Sequence, residues 1–127
     1  MNTDEGPRQK DPVTGQILGA AFEVANHLGH GFLENVYQKA LLRELGLRGL
    51  RAEREVNFPV SYKGAEIARY VCDILVESSV IVELKCVEKL APTHVSQCLN
   101  YLRASGLKTA LLINFGRPRL EYRRVSW

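Results

Sequence analysis

An α/β fold with one mixed sheet flanked by helices is predicted for this chain by three observations. Two segments with helical period open it. A later strand–helix–strand unit ends in an unbroken apolar run over 108–115, the mark of an internal strand. Glycine and proline punctuate the chain between these segments, giving the order α, α, β, β, β, α, β, β.

Each element has its own reason. Residues 1–12 are polar, hold acids and read as a disordered lead-in without an apolar stretch of signal-peptide type, which leaves 13–127 as a single domain. Over 13–28, Ile17, Ala20 or Ala21, Val24 and Leu28 share a helical face, and Gly29 and Gly31 stop the helix. A second helix over 33–46 turns Leu33, Val36, Tyr37, Ala40, Leu41 and Leu45 inward and stops at Gly46. Strands over 52–60 and 65–76 flank a turn at 62–64, and a third strand covers 79–86. Pro92 suits the first turn of a helix that reaches Ala104 and ends at Gly106. The last strand, 119–127, alternates weakly. The path from 79–86 through the helix to 108–115 is a right-handed crossover by the usual rule.

Composition narrows the class. A hydrophobic fraction of 46% with 24% charged residues is ordinary for a soluble globular chain. No run approaches the length of a membrane-spanning helix, and the expected location is the cytoplasm. Cys72, Cys86 and Cys98 are widely spaced inside apolar segments, which excludes a CxxC zinc site and a disulfide scaffold. The net charge of +3 names no partner. Arg117, Arg119, Arg123 and Arg124, set against Glu121 alone, either hold phosphates or keep an edge strand from pairing with another chain.

The stretch "VIVELKCVEKL" at 80–90 poses the chemical question. Glu83 and Lys85 sit inside a strand otherwise built for burial, where charge is costly unless paired or bound to an ion. Asp73, in the preceding strand "YVCDILV", is equally misplaced. If residues 77–79 form a three-residue loop, Val76 pairs with Val80, Asp73 lies opposite Glu83, and both share a face with Lys85; a one-residue slip would separate them. Adjacent carboxylates repel, so one takes a proton unless a cation lies between them. Oxygen-only ligation suits Mg²⁺ or Mn²⁺. Lys85 beside such an ion suits hydrolysis of a phosphodiester, where water must be activated and extra negative charge stabilised. The bland alternative is an ion pair at a sheet end. On the following helix, His94, Gln97 and Tyr101 share a polar face, and Glu34 follows a glycine-rich turn as either a first-turn acid favoured by the helix dipole or one more carboxylate for the metal.

These residues carry a family resemblance. "GFLENVY", from Gly31 to Tyr37, resembles the signature of the GxxExxY proteins. Asp73 with "VIVELK" is similar to the core of the PD-(D/E)XK nuclease superfamily, "QCLNY" to the Q-x-x-x-Y motif of its RecB-like branch, and "LLINF" to the GxxExxY group. The resemblance spans about residues 13–125 and implies a restriction-endonuclease-like fold with a four-stranded mixed sheet. It implies Asp73 and Glu83 as metal ligands, Lys85 as the catalytic lysine, and Glu34, Gln97 and Tyr101 in support. The implied activity is a Mg²⁺- or Mn²⁺-dependent nuclease, with a non-catalytic nucleic-acid-binding or assembly module, or a small interaction protein, as alternatives. Nucleic acid, DNA ahead of RNA, is the implied partner, no membrane is involved, a homodimer or a further protein is a candidate partner, and shape, ends or a partner would supply selectivity. Cys72 stands where a proline often precedes the aspartate, and Ala25 where many relatives carry a histidine. The three scattered cysteines do not support an iron–sulfur cluster.

Overall fold

A computed structural model describes residues 2–3 and 11–127 of the chain. Its elements are β1 (Asn2–Thr3), α1 (Pro12–Leu28), α2 (Glu34–Leu47), β2 (Ala52–Tyr62), β3 (Ala65–Val76), β4 (Val80–Lys85), α3 (Pro92–Ser105), β5 (Thr109–Asn114) and β6 (Glu121–Ser126). They form one mixed sheet in the order β1-β6-β5-β4-β3-β2. β4 and β5 are parallel, and the other neighbours are antiparallel. Helices cover both faces, as predicted, with β1 and β6 extending the sheet beyond four strands. Among the described residues no helix is long and apolar enough to cross a membrane.

The element ends follow local chemistry. Asp11 Oδ1 accepts the Val13 amide at 3.0 Å and caps α1 ahead of Pro12. Gly29, with φ +71°, ends that helix. Of the lead-in expected over 1–12, residues 1 and 4–10 lie outside the described residues, Asn2–Thr3 pair along β6, and Asp11 and Pro12 start α1. Leu33, expected inward, is 76% exposed. It occupies the extended N-cap position of α2, so it precedes the first turn and lies off the helix's apolar face.

The sheet divides two cores. Ile17, Val24, Tyr37 and Leu41 from α1 and α2 pack with Ile74, Val76, Val82 and Leu84. On the other face Cys98, Tyr101 and Leu102 of α3 pack with Cys72, Leu75, Ile81 and Leu112. Alternate strand residues should keep to one face, yet β2 and β3 break this together. Ala52 lies with the α1–α2 core and Val56 with the α3 core; Ile74 and Cys72 are divided in the same way. The break falls at Glu55, whose φ is +54°, and Asp73, between the pairs Arg54↔Ile74 and Val56↔Cys72. β3 pairs with β4 only as far as Ile74↔Val82. The sheet therefore turns over and opens at the acid that the sequence marked as misplaced.

Candidate active site

The opening is held by the acids themselves. Val76 pairs with Val80 across the three-residue loop, in the predicted register. Glu77 and Ser78 both have φ +53°, the left-handed backbone of tight hairpin turns. Glu77 ties this loop to the start of β2: its carboxylate accepts the Arg51 amide at 2.6 Å and its own amide donates to the Arg51 carbonyl at 2.7 Å. Beyond Ile74↔Val82 the ladder is replaced by side chains. The Asp73 amide donates to Glu83 Oε2 at 2.8 Å, and the Leu84 amide donates to Asp73 Oδ2 at 2.7 Å. Each acid thus satisfies an amide of the opposite strand. Among the described residues, Asp73 Oδ1 and Glu83 Oε1 take no hydrogen bond.

The signature from Gly31 to Tyr37 brings a third acid. Gly31 has φ +118°, a conformation that favours glycine. The Tyr37 hydroxyl donates to the Gly29 carbonyl at 2.6 Å and accepts from the Phe32 amide at 3.2 Å. Its ring stacks on Phe115, with centroids 4.6 Å apart. Tyr37 is therefore the clamp of the turn that delivers Glu34 to the start of α2. There Glu34 lines a cavity of about 180 Å³ with Asp73, Gln38, Glu55, Asn35 and Leu84. Gln38 Nε2 donates to the Asp73 carbonyl at 3.0 Å.

Sequence reasoning missed Gln38, Asn35 and Glu55. Gln38 falls four residues after Glu34, a spacing that aligns side chains on a helix, and that signal was open to reading. Glu55 was hidden by a register shift between Val60 and Ser61 in the β2–β3 hairpin. Without that bulge Arg54, not Glu55, would face Asp73.

Charge in the site is out of the ordinary. Glu83 is 3% exposed. Burial first, and then the Asp73 carboxylate, push its pKa up to about 8. Burial raises Asp73 as well, opposed by the Leu84 amide and by Lys85. Glu34 is raised by burial and by Asp73. Lys85 is half-buried and, among the described residues, closes no direct ion pair; its charge reaches all three acids through space and lowers each. No three His, Cys, Asp or Glu side chains among the described residues converge closely enough to hold a metal ion as they stand. The donor set is nevertheless one of open carboxylate oxygens that repel each other. Mg²⁺ commonly takes only one or two protein carboxylates and keeps its remaining places for water and phosphate, so Asp73 and Glu83 fit it.

The other predicted residues are placed less evenly. Tyr101 donates to the Val71 carbonyl at 3.0 Å and meets Tyr70 edge to face. Burial, followed by the Glu83 and Asp73 charges, raises its hydroxyl pKa. Gln97 is half-buried on α3, and among the described residues its side chain makes no hydrogen bond. His94 Nδ1 accepts the Ala91 amide at 2.9 Å, closing the start of α3. The four arginines do not form one patch. Arg117 lies 3.8 Å from Glu121, and Arg124 donates to the Thr14 hydroxyl at 2.8 Å. Arg123 and Arg124 are neighbours on β6 and so point to opposite faces. Arg119 and Arg123 are exposed.

A second polar network holds the loop after Lys85. Asn114, fully buried at the end of β5, accepts the amides of Val87 and Gly116 at 3.0 and 2.9 Å. Its Nδ2 donates to the Val87 carbonyl at 2.9 Å and to Glu121 Oε1 at 3.0 Å, and that oxygen also accepts the Leu90 amide at 3.1 Å. A Cβ on Gly116 would come within 2.5 Å of the Val87 backbone, so only glycine fits.

A family model described as the PD-(D/E)XK nuclease superfamily matches residues 11–125. No curated protein matches the chain. Among solved structures, the crystal structure of SSO0001 is similar at 17% identity and a TM-score of 0.49, over 93% of this chain and 78% of that one.

Proposed function

Since the chain belongs to the PD-(D/E)XK nuclease superfamily, we propose that it hydrolyses phosphodiester bonds in nucleic acid with the help of Mg²⁺ or Mn²⁺. One observation carries the reading. Asp73 and Glu83 each bond one oxygen to the opposite strand and, among the described residues, leave the other open, in a site where burial raises both pKa values, helped by the Asp73 charge at Glu83 and by the Glu55 charge at Asp73. A fold in need of strand closure alone has no use for two acids that resist ionisation.

Asp73 and Glu83 would hold the cation. When bound, it would supply charge neutralisation at the phosphate and a lowered pKa for water. Lys85 adds positive charge beside the phosphate as negative charge builds there. Glu34, reaching in from α2, orients water or a hydrated cation, and Gln38 fixes the backbone of Asp73. Arg119 and Arg123 are candidate phosphate contacts farther along the sheet. DNA is the first substrate class to test, ahead of RNA.

A second reading, a binding module that retains the nuclease fold, draws on a specific observation: the two amide bonds give Asp73 and Glu83 a structural use without any cation. A cleavage assay over single-stranded, duplex and hairpin DNA and RNA with Mg²⁺ or Mn²⁺, beside Glu83→Ala, separates the two. Cleavage lost in the variant supports the nuclease. Equal cleavage by both proteins, or no cation binding by the wild type at millimolar concentration, overturns it.

A further inference from the structure

On the α3 face of the sheet, the outer half of the β2–β3 hairpin overhangs α3. Between them runs a groove of about 490 Å³, with Val60, Ile67 and Tyr70 on one wall and Asn100, Arg103 and Ala104 on the other. No acid lines it. Ile67 is 63% exposed, an apolar side chain in a place that burial does not explain. Arg103 lies over the Trp127 ring at 5.7 Å and, among the described residues, faces no carboxylate partner. At the hairpin tip Lys63 sits over Tyr62 at 5.4 Å. The inner end of the groove is Tyr70, which meets Tyr101 with centroids 5.5 Å apart. Tyr101 in turn donates to the carbonyl of Val71, two residues before Asp73 on β3, at 3.0 Å.

We propose that this groove is a track for an unpaired nucleic-acid strand leading to the acids. The proposal rests on the nuclease reading and supplies its substrate class. Duplexes hide the faces of their bases in the stack, so an apolar and aromatic wall has little to offer them. An unpaired strand presents every base face, and proteins that bind such strands combine aromatic or apolar platforms with cations that follow the backbone. The groove has both: Ile67 and Tyr70 for bases and Arg103 for phosphates, with Lys63 outside it at the hairpin tip. Arg103 lies over the Trp127 ring and, among the described residues, is not neutralised by an acid, which leaves its charge for the backbone. The turning-over of β2 and β3 together at Glu55 and Asp73 is what turns the hairpin's apolar side toward α3. The distortion that opens the acid site thus also builds the track.

The test is fluorescence anisotropy in EDTA, so that no cleavage occurs, with a labelled oligothymidylate and a hairpin duplex as probes. Wild type should bind the unpaired probe more tightly. Ile67→Glu, an exposed position, should weaken that binding about tenfold, within the range for loss of base stacking, and leave duplex binding unchanged. Arg103→Ala should lower the salt slope by about 0.7, the share of one phosphate contact on a single strand. Circular dichroism checks folding; if Ile67→Glu is misfolded, Arg103→Ala decides. Unpaired-strand binding equal to duplex binding, variants indistinguishable from wild type, or an apolar peptide displacing the strand from a wild type that does not prefer it would overturn the track. A separate Mg²⁺ cleavage assay keeps the two ideas apart. Strand binding without cleavage removes the nuclease reading and leaves the track; cleavage with unaltered binding by both variants removes the track alone.

Discussion

Two carboxylates, on the strands either side of β5, do similar bonding with opposite electrostatic results. Glu83 on β4 accepts one main-chain amide, that of Asp73. Glu121 at the start of β6 accepts the Leu90 amide and Asn114 Nδ2. Burial would raise the pKa of Glu121, but the Asn114 and Leu90 bonds, with Arg117 and Lys89, outweigh it and hold it below the usual value. Glu83 is more deeply buried, faces Asp73 and Glu34, and is pushed up to about 8. The difference separates a carboxylate whose charge is used by its neighbours from one whose charge is left over. Donors that converge on Glu121 explain it as structure. The deficit of donors at Glu83 is what a cation would fill.

The largest expected effect follows from that deficit. Glu83→Gln keeps an oxygen for the Asp73 amide and removes the charge, so the fold should hold while cation binding and cleavage fail. Lys85→Ala should leave cation binding in place and slow cleavage by roughly two to three decades, the loss typical of a donor that stabilises transition-state charge. Calorimetric cation titration beside a gel assay reads both. If Glu83→Gln binds the cation as wild type does, the contrast with Glu121 has no functional meaning.

Much of this site was legible in the chain, and the reasons are local. Asp73, Glu83 and Lys85 stand out because each is a charge in an apolar strand, and a loop of three residues fixes how they face each other. Glu34 was legible from the glycine-rich turn before it and Tyr37 from the helical period, and the resemblance to the GxxExxY signature joined them to Gly31. What escaped depended on irregularities with no local mark. The bulge at Val60 and Ser61 shifts the hairpin by one residue and decides that Glu55, not Arg54, meets Asp73. The turning-over of two strands at Glu55 and Asp73 is a tertiary event that binary patterning cannot express. Asn114 reads as one polar residue in "LLINF"; only the fold shows that four hydrogen bonds converge on it. Leu33 was misplaced because helical period was extended one residue past the cap.

The next effect in size is on stability, at the structural carboxylate. Asn114→Ala would strand the Val87 and Gly116 amides and the Val87 carbonyl in the interior. An unsatisfied buried group costs about 1–3 kcal/mol, so the variant should lose about 3 kcal/mol in chemical denaturation. Lys85 directly precedes the loop this network pins, so cleavage should also fall, with cation affinity kept. A loss below about 1 kcal/mol would mean that water enters and replaces Asn114.

Acidity distinguishes the two regions further. The folded pKa of Glu83 is raised from 4.5 to about 8, so the folded state binds more protons than the unfolded state between those values. Its contribution to stability is fully present below about pH 4.5 and is lost as pH rises through about 8. Glu121 has the opposite sign: its folded pKa lies below 4.5, and its contribution is present above that value and lost on acidification. The metal-free wild type should therefore weaken from pH 5 to 8, Glu83→Gln should flatten that fall, and Glu121→Gln should not. Thermal melts across this range, in EDTA, give the answer. A fall that survives in Glu83→Gln would assign the proton to Asp73 or Glu34.

The smallest effect is expected at Arg117. Its Nη1 lies 3.8 Å from Glu121 Oε1, and its side chain is 45% exposed. Exposed ion pairs of this kind are worth about 0–1 kcal/mol. Glu121 keeps Asn114 Nδ2 and the Leu90 amide whether or not Arg117 is present. Arg117→Ala should accordingly cost less than about 0.5 kcal/mol in chemical denaturation. That small loss should vanish in high salt, where charges near the surface are screened. The effect of Asn114→Ala should be the same with Arg117 or Ala at the neighbouring position, because the amide bonds and not the ion pair fix the carboxylate. A loss above about 1 kcal/mol, or a marked change in the cost of Asn114→Ala, would show that charge holds Glu121. It would then differ from Glu83 only in having found its cation within the chain.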